Sequence, residues 1–596
     1  YGIYAQSDGG AGAGDIELTI GSGTVMGGSG SGAGVFIAGG DTNAIWNSGE
    51  ITSVPGVDGH AVIATSGNDY LENNGVLTGS VHLGLGENYA VNYGLVNAGR
   101  YFDVGGSNLL LNEGDFAPGG VANVFESHIL GNFTQTAAGT LWFDLEFDFG
   151  LDNADMLTVS GASELDGTLG LMIHDTGKVM PGRFETLVFE STNGHSGSGL
   201  TLSAPRSAVI GYSLSESSET EYTLSYNVDF APNGLTRNQA AMGEHFNDIQ
   251  LAGSTQTMLP LTETIVAQPD NKSLGAAYDM LSPHIYSANQ LGRLFSSLDF
   301  ERAMHSCSVR AGDFRFSREG ECTWMRVSSR DIDYEGPNGM PSATDEATIV
   351  NMGLQKALTA NWHGGLAIGF EKSDYDIAEV AERSGRQLQF GGILKGRYGR
   401  NAVDLSMTMG RGGYDTRRFT EFGYEGNFTM GDRDIRFTSA HAGYAYTVEY
   451  GTWYISPGLD LGLTNVASDG FHETGAGPTA LYVKGTDDNY LTSRFDLRIG
   501  GEFHANNEVL YRPFVRTSFT NILSGAENEI SARLAGAPDD VPFFTQVTPL
   551  DDNYVSYALG LDILARENWV LSLAYDRQVA DQWDANSFFA KITIDM

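Results

Sequence analysis

Hydrophobic and polar residues alternate along many segments between about residue 322 and the C-terminal Met596. In one segment, Ile455, Leu459 and Leu461 interleave with polar and small residues. Successive side chains of a β-strand point to opposite faces, so this alternation predicts strands with one apolar and one polar face. Twelve strands are predicted, starting near residues 322, 346, 362, 387, 402, 433, 452, 490, 509, 554, 569 and 584.

A soluble β-sandwich also alternates, but three further features favour a twelve-stranded antiparallel transmembrane β-barrel. Short turns, such as residues 399–401 and 450–452, alternate with long polar loops, such as 469–489 and 524–553. Aromatic residues gather near segment ends, as expected for rings at the membrane interface; they are Trp324, Trp362, Trp453, Tyr454, Trp569 and Trp583. Charges of both signs lie on the polar face, where a lumen can solvate or pair them. They are Lys395, Arg397, Arg494, Arg498, Arg512 and Arg516 with Asp460, Asp496, Glu502, Asp562 and Asp576.

The N-terminal part carries an internal repeat of the form Asn-x-Gly-x-apolar. Its copies start at Asn47, Asn73, Asn92 and Asn112, which are 26, 19 and 20 residues apart. A period near 20 residues predicts the rungs of a parallel β-helix, and we expect a right-handed one. Asn and Gly tolerate left-handed backbone angles at rung corners, and the apolar residue then points into the stack. Unrelated Asn-Gly turns are the alternative.

Residues 131–230 and the segment that follows change in character. Residues 131–230 predict longer, aromatic-rich strands that cap the β-helix; the expected core residues are Trp142, Phe143, Leu145, Leu157 and Val159. Apolar residues then recur at three- and four-residue steps and predict helices over 239–248, 274–281 and 285–304. Ser282 is expected to cap the last helix, with Pro283 at its first position.

The last of these helices is long enough, at about 30 Å, to span a bilayer core. We expect it to thread the barrel as a plug and tether. Its Arg293, Glu301 and Arg302 are the charged groups expected to interact with the lumen, through inward carboxylates such as Asp460 and Asp562.

The amino-acid composition restricts the number of domains, the fold class and the class of function. A chain of 596 residues implies two or more domains, and 78 Gly, 31 Phe and 26 Tyr suit a mainly all-β protein. The formal net charge of -40 excludes a binder of nucleic-acid phosphates. The longest apolar runs fall short of a transmembrane helix. The chain opens at Tyr1 without a signal-peptide pattern, so we expect a processed or truncated fragment.

The chain has two cysteines, Cys307 and Cys322, which lie close in sequence. Their spacing suits one local disulfide formed in an oxidising compartment, with two free thiols as the alternative.

The sequence lacks the motifs of catalysis, cofactor binding or metal binding. Ser196 lies in Gly-His-Ser-Gly-Ser, which fails the last position of the Gly-x-Ser-x-Gly elbow. The twelve histidines form no metal-ligand spacing. Residues 152–155 (Asp-Asn-Ala-Asp) could supply oxygen ligands to calcium, but known calcium-loop patterns are absent. We therefore expect no enzyme, no cofactor and no metal site; a displayed hydrolase and a calcium-dependent adhesin remain the alternatives.

The order of these parts resembles the type Va autotransporters of type V secretion. Residues 133–135 (Phe-Thr-Gln), 155–157 (Asp-Met-Leu) and 161–162 (Gly-Ala) resemble the family's autochaperone segment. Residues 235–239 (Leu-Thr-Arg-Asn-Gln) and 281–286 (Leu-Ser-Pro-His-Ile-Tyr) resemble the linker that opens its translocator unit, and 321–324 (Glu-Cys-Thr-Trp) resembles its first barrel strand. Together the matches extend over almost the whole chain.

The resemblance implies a β-helical passenger segment (1–130), an autochaperone-like β cap (131–230), a helical linker partly inside the pore (231–306) and an outer-membrane barrel (307–596). It implies a barrel held in outer-membrane lipid that secretes its own passenger to the cell surface, with the barrel-assembly machinery and periplasmic chaperones as partners in biogenesis. The last strand resembles the assembly signal through Phe588, Ile592, Ile594 and Met596, although the usual final residue is aromatic. The passenger is expected to be adhesive or structural, with a ligand on a host or neighbouring cell. Some members cleave themselves at paired asparagines; Asp270-Asn271 is the nearest pair, and we do not expect cleavage there.

Overall fold

The computed structural model describes residues 1–8, 14–305, 307, 309, 312–335, 342–377, 380–422, 427–505, 509–525, 527–549, 551–565 and 568–596. The chain forms two compact units, one of Tyr1–Pro232 with Phe246–Leu274 and one of Asn233–His245 with Gly275–Met596. The predicted linker, residues 231–306, is therefore shared between the two units. Among the described residues, none of the helices is both long and apolar enough to cross a membrane.

The first unit consists mainly of short strands. They are β1 (Ile3–Ser7), β2 (Ile16–Ile20), β3 (Thr24–Gly27), β4 (Ala33–Gly39), β5 (Thr42–Asn47), β6 (Glu50–Ser53), β7 (His60–Ala64), β8 (Asn68–Asn73), β9 (Val76–His82), β10 (Tyr89–Asn92), β11 (Leu95–Asp103), β12 (Leu109–Asn112), β13 (Asp115–Pro118), β14 (Glu126–Leu130), β15 (Asn132–Gln135), β16 (Thr140–Glu146), β17 (Asn153–Ala154), β18 (Met156–Val159), β19 (Ser163–Leu165), β20 (Thr168–His174), β21 (Gly182–Ser191), β22 (His195–Ser196), β23 (Thr201–Ser203), β24 (Ile210–Ser218) and β25 (Glu221–Val228).

These strands stack in three parallel columns, as in a β-helix. One column runs β2, β5, β8, β10, β12, β15, β19, β22. The second runs β3, β6, β9, β11, β13, β16, β20, β23, and the third runs β1, β4, β7, β9, β11, β14, β18, β21. Strands β9 and β11 are long enough to belong to both of the last two columns. The parallel columns confirm the predicted solenoid, and its right hand stays a prediction.

The Asn of the repeated motif forms a buried ladder of side-chain amides. The Nδ2 of Asn47 donates to Asn73 Oδ1 at 2.7 Å, and the same 2.7 Å bond joins Asn73 to Asn92 and Asn92 to Asn112. Asn112 then donates to Gln135 Oε1 at 2.8 Å. Buried amides must find partners, so each rung fixes the position of the next.

The Gly of the motif is needed because adjacent rungs approach each other closely. The sequence predicted a different reason, a left-handed backbone at this position. Gly49, Gly75, Gly94 and Gly114 all lie outside the positive-φ region. A Cβ on Gly75 would lie 2.0 Å from the carbonyl oxygen of Gly49, and one on Gly94 would lie 2.1 Å from that of Gly75. The apolar residue of each copy is buried as predicted; these residues are Ile51, Leu77, Val96 and Phe116.

Residues 131–230 close one end of the stack. β25 pairs antiparallel with β21 and with β24, so the parallel columns end in an antiparallel three-stranded region. Phe143, Leu145, Leu157 and Val159 are buried. Trp142 is not part of this interior: it alternates outward along β16, donates from Nε1 to Asp115 Oδ1 at 3.0 Å and lies against Gly170.

Four α-helices follow: α1 (Arg237–Leu251), α2 (Leu259–Val266), α3 (Asn271–Leu281) and α4 (His284–Ala303). Three of them confirm the predicted helices. The sequence pattern missed α2, which is short and has Pro260 in its first turn, where proline is tolerated. Ser282 does not cap α4; its hydroxyl donates to Gln546 Oε1 at 2.5 Å, and Pro283 takes the cap position.

The second unit contains the remaining strands. They are β26 (Cys322–Tyr334), β27 (Ala343–Ala357), β28 (Trp362–Ile377), β29 (Ala381–Tyr398), β30 (Asn401–Phe419), β31 (Phe428–Tyr446), β32 (Val448–Tyr450), β33 (Trp453–Ser468), β34 (Phe471–His472), β35 (Leu481–Val483), β36 (Thr486–Gly501), β37 (Phe503–Ala505), β38 (Val509–Ser524), β39 (Glu527–Leu534), β40 (Phe544–Pro549), β41 (Asn553–Ala565), β42 (Trp569–Val579) and β43 (Trp583–Asp595).

Twelve of these strands form a closed antiparallel barrel, which confirms the predicted number. Their order around the wall is β26, β27, β28, β29, β30, β31, β33, β36, β38, β41, β42 and β43. The ring closes because β43 pairs with β26, from Cys322 opposite Asp595 to Tyr334 opposite Trp583. Two long connections between barrel strands fold into a separate sheet of β34, β35, β39 and β40, at the end opposite to both barrel termini.

The barrel wall alternates as a transmembrane barrel requires, with an apolar outer face and a polar inner one. Outward residues include Leu366, Phe390, Leu405, Leu459, Leu463, Val515 and Leu559, all exposed. The last strand places Phe588, Ile592, Ile594 and Met596 on this outer face. Trp453 and Trp569 also face outward, near the short turns. Trp324, Tyr454 and Trp583, expected in the interfacial belt, are instead buried, because strand alternation points them inward.

We predict that Asn73→Ala destabilises the solenoid by about 1–3 kcal/mol, because it leaves the buried amides of Asn47 and Asn92 without one partner each. The neighbouring Asn74 is exposed and its side chain donates to Glu72, so Asn74→Ala is the matched control and should change the free energy of unfolding by less than about 0.5 kcal/mol. Urea unfolding of the two variants and the parent measures both values, and equal losses would contradict a structural role for the ladder.

Candidate functional site

The barrel lumen contains helix α4. Leu294, Phe295 and Leu298 of this helix pack with inward residues of the wall, including Tyr414, Phe437 and Trp583. α4 contacts strands β27, β29, β30, β31 and β33. The predicted pore helix is therefore inside the barrel, and it lies closer to one side of the wall.

Arg293 fixes the middle of α4 to the wall through a buried charge cluster. Its Nη1 lies 3.3 Å from Glu371 Oε1 and donates to Gln387 Oε1 at 2.8 Å. Glu371 also accepts from Ser296 Oγ at 2.8 Å and from Arg330 Nη2 at 3.2 Å. Buried charges are tolerated only when paired and hydrogen-bonded, so these contacts specify the depth and rotation of the helix.

The partners expected from sequence for this helix were wrong. Asp460 pairs with His441 at 3.3 Å and Asp562 pairs with Arg498 at 3.9 Å, both on the wall. Glu371, the true partner of Arg293, was missed. The alternation of β28 carries the signal that could have found it, because Glu371 follows the outward Phe370 and faces the lumen.

The C-terminal end of α4 carries a second charge network. Glu301 contacts His305 and lies 3.7 Å from Arg494 Nη2. Arg494 also pairs with Asp496 at 2.9 Å and with Asp460 at 3.7 Å. The ligand atoms of Glu301, His305 and Asp404 lie within 4.8 Å of one another, the only such triad among the described residues. The guanidinium of Arg494 beside Glu301 already supplies the positive charge, so the arrangement fits an ion-pair network better than a metal site.

Two further predicted lumen charges, Lys395 and Arg397, meet at the end of the barrel where both of its termini lie. Lys395 and Arg397 contact the carboxylate of Glu319 at 3.3 and 2.7 Å. Burial disfavours the charged carboxylate, yet Lys395 and Arg397 hold the pKa of Glu319 well below its usual range. Glu319 was missed from sequence because it precedes the alternating strands.

The segment before β26 crosses this mouth of the barrel. A disulfide joins Cys307 to Cys322, with a Cα–Cα distance of 5.9 Å, which confirms the predicted bond. Between them, Arg315 Nε lies 3.2 Å from Glu502 Oε1, and the Phe316 ring stacks on Tyr454 at 4.6 Å. Residues 306, 308, 310 and 311 of the predicted loop lie outside the described residues.

The opposite mouth is covered by the sheet of β34, β35, β39 and β40, together with the start of the helical segment. Asn238 exchanges two hydrogen bonds with the backbone of Val547, at 2.8 and 3.0 Å. His245 Nε2 accepts from Leu534 N at 3.2 Å, and burial lowers the pKa of His245 to about 4, which keeps the ring neutral and able to accept. Tyr286 OH donates to Glu473 Oε1 at 2.6 Å. The same carboxylate also pairs with Arg418.

The residues considered for a hydrolase or for calcium binding make hydrogen bonds within the solenoid. Ser196 lies in strand β22 and donates to the carbonyl of Ser163 at 3.4 Å, with no strained elbow. Asp155 accepts from the backbone N–H of Phe125 at 2.7 Å and of Asp144 at 2.9 Å. Burial raises the pKa of Asp155 to about 8, which is the opposite of what a calcium ligand needs.

Asp152 and Asp270 likewise serve local structure. Asp152 Oδ1 accepts from Asp148 N at 2.7 Å, and its Oδ2 accepts from Tyr226 OH at 2.7 Å. Asp270, in the pair considered for cleavage, accepts from Ser273 N at 2.9 Å at the start of α3.

We predict that deleting residues 284–303, the whole of α4, raises single-channel conductance at least severalfold, because the helix fills the lumen. Deleting 259–266, the whole of α2 in the first unit, is the control and should leave conductance unchanged. Recordings of the full chain in planar bilayers give both values. An α4 deletion with parental conductance would contradict a plug.

The family comparison agrees with the barrel. Residues 323–576 match the family model "Autotransporter beta-domain". No curated protein sequence matches the chain.

Among solved structures, the chain is similar to the translocator domain of autotransporter NalP from Neisseria meningitidis. The identity is 12%, the TM-score is 0.41, and the match covers 52% of this chain and 97% of that one. The β domain of the Bordetella autotransporter Brka matches at 14% identity and a TM-score of 0.35, over 47% of this chain and 100% of that one. The transport unit of AIDA-I from Escherichia coli matches at 14% identity and a TM-score of 0.34, over 48% and 93%.

The family assignment rests on the sequence match, which covers most of the twelve barrel strands. A closed barrel with an apolar outer face is the form in which β-strands span an outer membrane. The C-terminal part of this chain is thus the outer-membrane β-domain of an autotransporter, which secretes and displays at the cell surface the passenger that precedes it.

Proposed function

We propose that the displayed solenoid is an adhesive or structural surface whose ligand is on a host or neighbouring cell. The observation that carries the proposal is a ladder of outward aromatic rings on consecutive rungs. The rings of Trp46 and Tyr70 lie 6.3 Å apart, and those of Tyr70 and Tyr89 lie 6.0 Å apart and nearly parallel. A second ladder joins His60, His82, Tyr101 and His128, at 5.3, 6.1 and 5.5 Å.

Such ladders suit recognition more than packing within the solenoid. Aromatic rings combine a large apolar face with a polar tip and dominate binding energy at many interfaces. Parallel strands about 4.8 Å apart place one ring on each rung, with ring centroids 5.3 to 6.3 Å apart, so an extended ligand could contact several of them together. A hydrolase or a calcium-dependent adhesin gains no support, because the candidate serine and carboxylates hold the backbone of the solenoid.

We predict that replacing Tyr70 and Tyr89 by Ser lowers adhesion at least several-fold in cells displaying equal amounts of passenger. The readouts are attachment to epithelial monolayers and cell–cell aggregation. The control replaces Val54 and Leu85, exposed apolar residues outside the ladders, by Ser and should adhere like the parent. If the Tyr70/Tyr89 variant adheres like the parent, the ladder of Trp46, Tyr70 and Tyr89 is not the adhesive element.

We also propose that residues 131–230 act as an autochaperone. The support is the antiparallel cover of β24 and β25 on β21, since an uncovered strand edge recruits other strands. In export that begins at the C-terminal end of the passenger, this capped region emerges first and offers a folded end to the next rung. Phe143, Leu145, Leu157 and Val159 are its proposed core. The boundaries 1–130, 131–230, 231–306 and 307–596 are proposed on the same basis.

Biogenesis of the barrel is proposed to use the outward row of the last strand. Phe588, Ile592 and Ile594 share one exposed face of β43, which closes the barrel on β26, and the exposed Met596 follows directly after the strand. We propose that the barrel-assembly machinery reads this row, after periplasmic chaperones deliver the unfolded chain.

We predict that Leu157→Ala costs about 2–5 kcal/mol, because it opens a cavity in the capped end, and yields a protease-sensitive passenger above an intact, heat-modifiable barrel. Trp142→Ala is the control: its ring is half-buried on the outer face, so the passenger should stay protease-resistant. Surface proteolysis of intact cells compares the two. A resistant Leu157→Ala passenger would end the templating role.

A further inference from the structure

Helix α4 leaves part of the lumen unfilled near its C-terminal end. Among the barrel strands, its backbone lies closest to β27, β29, β30, β31 and β33, and a cavity of about 140 Å³ remains on the other side of its last turns. Its lining comes from α4 and from inward positions of β26, β36, β38, β41, β42 and β43. We call it the Arg326 cavity, after the residue of β26 that lines it.

Basic groups outnumber acidic ones in the Arg326 cavity. The basic residues are Arg302, Arg326, Arg498, Arg516 and Lys591, and the acidic residues are Asp299, Asp562 and Asp576. Each carboxylate already has a cation: Asp576 pairs with Arg516 at 2.8 Å and Asp562 with Arg498 at 3.9 Å. Asp299 is held by Arg330 at 3.0 Å, outside the cavity lining, and reaches Arg302 only at 4.0 Å. The cavity therefore has more positive charge than its own carboxylates neutralise.

Two of the guanidinium groups lack full partners. Among the described residues, none of the carboxylates lies within 4.0 Å of Arg326, whose guanidinium lies over the Phe589 ring at 4.1 Å. The Nε of Arg326 has no hydrogen-bond acceptor. The side chain of Arg302 is 9% exposed, and its Nε and Nη2 also lack acceptors. Buried donors of this kind are costly unless an acceptor reaches them.

We propose that the Arg326 cavity binds a small tetrahedral oxyanion of the phosphate or sulfate class. Guanidinium groups present planar forks of donors that match oxyanions, and charge-assisted bonds of this kind are among the strongest in proteins. At about 30 Å³ per water, the volume holds four or five waters, which is room for one such anion with part of its hydration.

The geometry also restricts the source of the anion. Arg326, Arg516 and Lys591 stand at inward positions of their strands, beside outward apolar neighbours such as Val327, Val515 and Ile592. The ligand is therefore a water-soluble anion of the lumen and not a lipid headgroup.

Titration calorimetry with inorganic phosphate, on the full chain folded in detergent at constant ionic strength, tests the proposal. The parent should bind one phosphate, and Arg326→Gln should weaken binding at least tenfold, because it removes a charged donor that lacks a protein acceptor. Arg436→Gln is the matched control: Arg436 is exposed and pairs with Asp469 at 3.9 Å, so phosphate binding should stay at the parental value. No binding to the parent, or equal binding to parent and Arg326→Gln, overturns the proposal.

A folding control with a second variant, and a competition with lipid, are needed to interpret the result. Heat-modifiable migration shows which variants are folded, and Lys591→Gln, with the same expected loss, decides the outcome if Arg326→Gln does not fold. Lys591 Nζ lines the cavity and donates to the His305 carbonyl at 3.3 Å. Micelles doped with phosphatidylglycerol should not compete with inorganic phosphate; competition would point to a lipid headgroup and contradict a luminal site.

Discussion

The pairing of β43 with β26 is the contact on which the whole C-terminal unit depends. A strand in hydrocarbon has no water to bond its backbone, so every N–H and C=O must find another strand. One continuous ladder from Cys322 opposite Asp595 to Tyr334 opposite Trp583 removes both edges of the sheet at once. Only a closed ring creates a lumen in which charges such as Arg293 and Glu371 can be held away from lipid.

The same requirement, that buried polar groups be paired, shapes the exported unit in another way. The side-chain amides inside the solenoid are shielded from water and need hydrogen-bond partners within the protein. The ladder from Asn47 to Gln135 supplies them, with one side-chain bond between each pair of successive rungs. The glycines beside the ladder let the rungs approach closely enough for those bonds. The two units thus satisfy their polar groups by different means, backbone closure in one and side-chain stacking in the other.

Much of the fold could be predicted from sequence because strand periodicity records which face is apolar. The alternation gave all twelve barrel strands, and the Asn-x-Gly spacing gave the rungs. The predictions that failed concern contacts between residues that are far apart in the sequence. The partners of Arg293 were wrong because nothing local records where a helix lies along a wall, and Trp142 was misplaced because aromatic character alone does not tell which face a strand buries. The role of Gly75 was also misread, since close packing and left-handed turns both select glycine.

The disulfide between Cys307 and Cys322 limits how far α4 can move out of the pore. It ties the chain just beyond the end of α4 to the first residue of β26, and Arg315 and Phe316 bind the rim of the same mouth. A force on the helix toward the long-loop mouth therefore pulls against this covalent anchor as well as against hydrogen bonds and ion pairs in the lumen, such as those of Arg293 and Tyr286. The oxidised disulfide is thus a tether: even if the contacts inside the lumen break, the C-terminal end of α4 stays at the mouth where β26 begins.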